Sequence, residues 1–351
     1  MSNPATVVAP SQAISAGLTG LVFNEGFAAD TYTSQKGAAA VAGANWYPFF
    51  WVPATGVSIA NGEAVVTGGN IGTAPSYYAE TGTGASMRGT FMHGYFEARF
   101  KFNATGTSTP QQGVWPAFWL FGVGAQAAVN GNQVGEIDGF EAYPGNTAGT
   151  FYAIQTLHNW QYGWNGGTYL SKTDTGNTNG QNFMIGLVGS AEVPNPNDGN
   201  FHTYGILWKS TGPGTGIIEF YYDNFLVIHT GNVTQYAVGA GTKFPATETN
   251  AMGIVLQGGI TQPITVDFVH VFQAPLAQTL AFNYSVSNVL VQLPAETDQS
   301  VPLTYSQPSK GSVSGTVLTV AAGAGAVTVQ ANAPATATLP AFSSVETVTV
   351  P

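Results

Sequence analysis

Three carboxylates stand within six positions of this chain: Glu136, Asp138 and Glu141, in the stretch VGEIDGFEAY. The whole sequence holds 18 acidic residues in 351, so the group stands out from its background. On a regular strand Glu136 and Asp138 share a face, and Glu141 points away. One extra residue taken up as a β-bulge returns Glu141 to that face. Gly139 suits the distortion, because glycine inside a strand often marks a bulge. Carboxyl groups crowded on one face raise one another's pKa. Two of them about 5–5.5 Å apart can cleave a glycosidic bond by double displacement, one as nucleophile and one as acid/base. Crowding also keeps one partner protonated near neutral pH. The residues alone leave two other readings open, an acidic turn and a calcium-binding loop.

Composition narrows the field. Charged residues make up 7% of the chain, against about 25% in an average soluble domain. There is no cysteine, hence no disulfide scaffold, no thiolate metal site and no thiol nucleophile. Eight basic residues against 18 acidic ones give a net charge of -10. That balance argues against nucleic acid as a partner, since phosphate binding needs a basic patch. No run of about 18 apolar residues is present, so no membrane span is expected. A hydrophobic content of 44%, with 12% aromatic, is too high for a disordered chain. The opening MSNPATVVAPSQAISAG has neither Lys or Arg nor a continuous apolar core, so no Sec-type signal peptide is expected there.

The elements that must position the carboxylates read as short strands. Gly, Asn, Pro and Asp clusters recur every 8–12 residues, with apolar-alternating runs between them such as YFEARFKF (95–102), WPAFWLF (115–121), IIEFYY (217–222) and ITVDFVHVF (264–272). Alternation at period two, rich in aromatic and β-branched residues, is the strand signal, and no long stretch has helical periodicity. An all-β sandwich or barrel follows. All seven Trp and all five His lie upstream of residue 273, and the remainder is rich in Val, Thr, Ala, Ser and Gly. Two domains are therefore expected, 1–274 with a core of about 21–273, and a small β-sandwich at 275–351. The latter resembles bacterial immunoglobulin-like modules through its LTV and VTVQA runs.

Six motifs, in order, resemble glycoside hydrolase family 16: LVFNEGF (21–27), GYFEARFK (94–101), GVWPAFWL (113–120), EIDGFE (136–141), FHTYGILW (201–208) with IEFYYD (218–223), and VDFVHVF (266–272). The bulged catalytic motif is of the type found in the family's laminarinases, agarases and carrageenases. The resemblance implies a jelly-roll sandwich of the concanavalin-like kind, with Glu136 as nucleophile, Glu141 as acid/base and Asp138 assisting. It further implies that Trp115, Trp119, Trp208 and Phe220 contact sugar, that Glu97 and Arg99 reach the cleft, and that His158 lies close to the carboxylates. His202, in the FHTY motif, reads as structural.

The function expected from this resemblance is a retaining endo-β-glycanase acting on a neutral β-glucan, either β-1,3 or mixed β-1,3-1,4. An agarase-like β-galactanase is the alternative within the family. A non-catalytic glucan-binding, surface or virion module is the alternative outside enzymes. No cofactor is required. A structural calcium, if present, would use Asp267 and Glu25, although calcium takes six to eight oxygen ligands. The expected partner is polysaccharide alone, the working form a monomer, and the location extracellular or at the cell surface.

Overall fold

The computed structural model describes the chain apart from residues 1–6, 38–39, 78–87, 104–114, 124–131, 145–150, 166–167, 175–182, 186–195, 213–214, 228–234, 239–250, 260–261, 276–281, 283, 288–289, 298–301, 335–340 and 351. In some strands only the backbone is described. Contacts divide the chain into two units: one of Pro10–Ala16 and Phe23–Phe272, the other including Gly17–Val22 and Gln273–Pro351.

The larger unit is an antiparallel β-sandwich, as the alternation predicts for an all-β chain and as the resemblance to the family implies for a jelly roll. Among the described residues each of its two sheets has nine strands. The front sheet runs, in spatial order, Thr168–Asp174, Phe151–Asn165, Asn132–Pro144, Ala117–Gly122, Met252–Gly258, Gly69–Gly72 and Tyr47–Pro48, with Phe183–Ile185 and Thr90–Phe91 paired off this order. The back sheet runs Phe225–Leu226, Thr215–Tyr222, His202–Gly212, Gly94–Lys101, Ile264–Gln273, Glu63–Thr67 and Gly56–Ala60, with Gly20–Glu25 and Gln235–Val238 paired off this order. Successive side chains of a strand point to opposite faces, so every second residue of each strand enters the space between the sheets. From the back sheet these are Phe96, Ala98 and Phe100, with Tyr204, Ile206 and Trp208 beside them. Phe118, Leu120, Ile254 and Leu256 meet them from the front sheet. Each large apolar side chain so buried contributes about 1.5–3 kcal/mol.

The smaller unit has its own apolar core, including Val291, Leu318, Val327, Val329 and Val348. Among the described residues it has a four-stranded and a three-stranded sheet. Its longest pairing joins Gly325–Ala333 to Phe342–Val350.

Candidate active site

The carboxylate strand, Asn132–Pro144, carries the bulge that its sequence predicts. Against the tryptophan strand, Ala117–Gly122, Trp119 faces Asp138 and Phe118 faces Phe140, which leaves Gly139 as the extra residue. On the other side Glu141 pairs with Ile154 and Asp138 with Thr156, so Gln155 alone spans Gly139 and Phe140. The core records the same step. Ile137 points between the sheets, and after Gly139 the inward positions become Phe140 and Ala142. Glu136, Asp138 and Glu141 are thereby left together on the outward face of the front sheet.

Space fixes the choice of glycine at 139. A Cβ there would lie 2.5 Å from Cγ1 and 2.6 Å from Cδ1 of Ile206, a core residue of the back sheet. Asp138 is 2% exposed and Glu136 9%, while Glu141 is half-buried.

Aromatic rings lie beside the carboxylates on that face, Trp119 opposite Asp138 and Phe121 opposite Glu136. Ala117, Trp119, Phe121 and Val255 form an apolar cluster with Phe49 and Tyr77, flanked by Phe50 and Trp115. Trp119 is 4% exposed, packed edge-to-face by Phe49 at 5.0 Å. The open ring is Trp51, 38% exposed and edge-on to Trp119 at 6.5 Å. Its neighbour Val52 has φ 46, an uncommon conformation for a β-branched residue. Buried Asn70 pins this segment, its Nδ2 donating to the carbonyls of Trp51 and Val52, each at 3.0 Å. Trp115 meets the carboxylates directly: its Nε1–H donates to Oε1 of Glu141 at 3.0 Å. Nε2 of buried Gln257 donates to the Trp115 carbonyl at 2.7 Å.

Sequence reading missed Trp51, Asn70 and Gln257. The signal for Trp51 was the aromatic run WYPFFW, and for Gln257 a lone amide in the apolar run MGIVLQG. A polar group inside a buried strand needs a partner.

Several expected site residues lie elsewhere. Glu97 and Arg99 do not reach the carboxylates. They alternate with the inward Phe96, Ala98 and Phe100, so they lie on the outward face of the back sheet, turned away from the front sheet. There Glu97 bonds Nδ1 of His270 at 3.0 Å, and Arg99 pairs with Asp267. Trp208 and Phe220 are likewise corrected. Both belong to the core between the sheets, Trp208 fully buried and Phe220 4% exposed, and neither offers a ring to a ligand. His158 occupies the register position opposite Glu136; its side chain lies outside the described residues.

The two carboxylates considered for calcium have protein partners. Glu25 accepts from the Phe27 N–H at 2.8 Å, the Thr31 hydroxyl at 2.8 Å and the Asn45 amide at 2.9 Å. Asp267 is held by Arg99. Among the described residues no three His, Asp or Glu side chains cluster as a metal site.

His202 is structural in its contacts, bridging Asp223 at 2.7 Å and Asp198 at 3.1 Å. Burial lowers its pKa, but the hydrogen bonds to both aspartates and their charges outweigh that, and the net shift is upward. Burial also tends to raise the pKa of Asp198, but hydrogen bonds from Asn200 and His202 bring it below the usual carboxylate range.

The family described as glycosyl hydrolases family 16 matches residues 54–263. A comparison with curated proteins finds no match. Among solved structures, the chain is similar to an endo-1,3-β-glucanase from Streptomyces sioyaensis, with 21% identity, 77% of this chain and 99% of that one covered, and a TM-score of 0.43. It is also similar to the κ-carrageenase of Pseudoalteromonas carrageenovora (16% identity, 78% and 97% covered, TM-score 0.39). A β-porphyranase of Bacteroides plebeius shows 14% identity, coverage of 78% and 94%, and a TM-score of 0.37. Among the described residues no helix is long and apolar enough to cross a membrane.

Proposed function

The chain belongs to glycosyl hydrolases family 16, and from that membership we propose that it is a retaining endo-β-glycanase acting on a neutral β-glucan, foremost a β-1,3-glucan. The observation that carries the reading is the bulge at Gly139, which gathers Glu136, Asp138 and Glu141 on one aromatic-lined face. Glu141 gives its proton to the leaving glycosidic oxygen while Glu136 attacks the anomeric carbon. Water, deprotonated by Glu141, then hydrolyses the glycosyl ester and frees Glu136. Asp138, between them, assists by steadying the Glu136 carboxyl.

The reaction calls for no redox group or metal. Sugar faces stack on flat rings, and Trp51 with Trp115 supplies them here. A chain with eight Lys and Arg in all suits a neutral polymer better than a sulfated one. The enzyme acts as a monomer, outside the cell or at its surface, where polysaccharide is met.

The test is a panel of β-glucans and β-galactans assayed for new reducing ends, with linkage analysis of the products. Oligosaccharides from laminarin support the reading. Release from agarose alone replaces glucan by galactan, and binding without turnover refutes catalysis. Glu136→Gln and Glu141→Gln should each lose most activity, and full activity in either removes its assigned role.

A further inference from the structure

We infer that Trp115 and Gln257 are positioning residues for the acid/base, selecting which oxygen of Glu141 carries the transferable proton. This rests on the acid/base role proposed above. An indole N–H can only donate. The oxygen it faces, Oε1 at 3.0 Å, therefore cannot present a proton toward it. The proton delivered to the leaving group is carried on Oε2. The same N–H remains a donor when Glu141 is a carboxylate and acts as base, where a charge-assisted bond is stronger. The orientation is thus held through both half-reactions.

The segment Trp115–Pro116 is fixed at three points. Besides the indole bond to Glu141, the Pro116 carbonyl accepts the N–H of Ala142, the residue after Glu141, at 2.8 Å. The third point is Gln257, whose Nε2 holds the Trp115 carbonyl at 2.7 Å. The strand register explains how Gln257 reaches it. Ala117 pairs with Glu141 on one side and with Gln257 on the other. Its single methyl leaves room on that face for the amide to cross. Gln257 is 2% exposed, so this bond is sheltered from competing water.

Two variants separate this role from sugar stacking. Trp115→Phe keeps a ring and loses the donor; Gln257→Leu keeps the volume and loses the amide. Each is assayed on laminarin, whose leaving group needs a proton, and on a dinitrophenyl β-glycoside of the same sugar, whose leaving group does not. Trp115→Phe should lower kcat on laminarin by roughly 10- to 100-fold relative to its own first-turnover rate on the dinitrophenyl glycoside, since any loss of stacking lowers both rates. Gln257→Leu should show the same split, on the order of 3- to 10-fold. One preparation serves both substrates, so loss of folded protein lowers both rates alike and their ratio carries the result. An unchanged ratio in both variants overturns the inference. Glu141→Gln serves as reference: full activity on laminarin removes the acid/base reading itself, whereas loss on laminarin with a retained burst upholds it.

Discussion

Gly139→Ala tests the packing that assembles the site. The substitution places a methyl 2.5 Å from Cγ1 and 2.6 Å from Cδ1 of Ile206, and 3.3 Å from the Phe118 carbonyl oxygen. Ordinary carbon contacts are about 3.5–4.0 Å, so roughly 1 Å must be found. Ile206 is fully buried and can yield only by leaving its rotamer; otherwise the bulge itself shifts. Overpacking of this kind costs about 1–3 kcal/mol. Gly139 does not occupy the left-handed backbone region, so the cost is one of space and not of dihedral strain.

Urea unfolding followed by tryptophan fluorescence is the assay. All seven tryptophans fall between residues 46 and 208, inside the larger unit, so the signal reports that unit. Ile206→Ala alone should cost about 2–5 kcal/mol through the cavity it leaves. In the double variant the new methyl fills part of that cavity, and the two effects should fall short of additive by about 1 kcal/mol or more. Laminarin hydrolysis by Gly139→Ala should drop about tenfold or more beyond any loss of folded protein, because a shifted bulge moves Glu141 relative to Glu136. Stability within about 0.5 kcal/mol of wild type together with full activity, or strict additivity in the double variant, refutes the reasoning.

Three further outcomes follow from the contacts. The bridge made by His202 stabilises most below the ordinary histidine pKa, about 6.5, and that contribution is lost as pH rises through the raised native value. His202→Ala should therefore cost more stability at pH 5.5 than at pH 9 in urea titrations, and an equal cost at both contradicts the assignment. Arg99→Gln removes an ion pair with both partners about one-third exposed, worth about 0–1 kcal/mol. It should leave the KM for laminarin within about twofold, and a large rise would return Arg99 to the cleft. Trp208→Ala should destabilise by about 3–5 kcal/mol as a core truncation; a stable variant with weakened substrate binding would reinstate a sugar-contact role.

The bulge was legible in the sequence because it leaves a local mark: acids spaced out of strand phase with a glycine between them. What alternation does not show is which way a face points. Tyr95, Glu97 and Arg99 share one face of their strand, and that much was readable. Whether the face opens on a cleft or on the far side of the sandwich depends on pairings with His202–Gly212 and Ile264–Gln273. Those partners lie more than a hundred residues away. Trp208 failed for the same reason, since an aromatic residue on an alternating strand suits a core and a sugar site equally. The Trp115–Glu141 bond joins residues 26 apart through side-chain atoms, and no strand pattern encodes it. Gln257 was closer to legible, because an amide in an apolar strand already asks what it bonds to.

Double displacement by Glu136 and Glu141 leaves its mark on product stereochemistry, because two inversions at the anomeric carbon retain its configuration. Proton NMR of laminari-oligosaccharide hydrolysis, followed from the first seconds before mutarotation, should show the β-anomer of the new reducing end appearing first. First appearance of the α-anomer would mean a single displacement by water and would contradict the roles assigned to both glutamates.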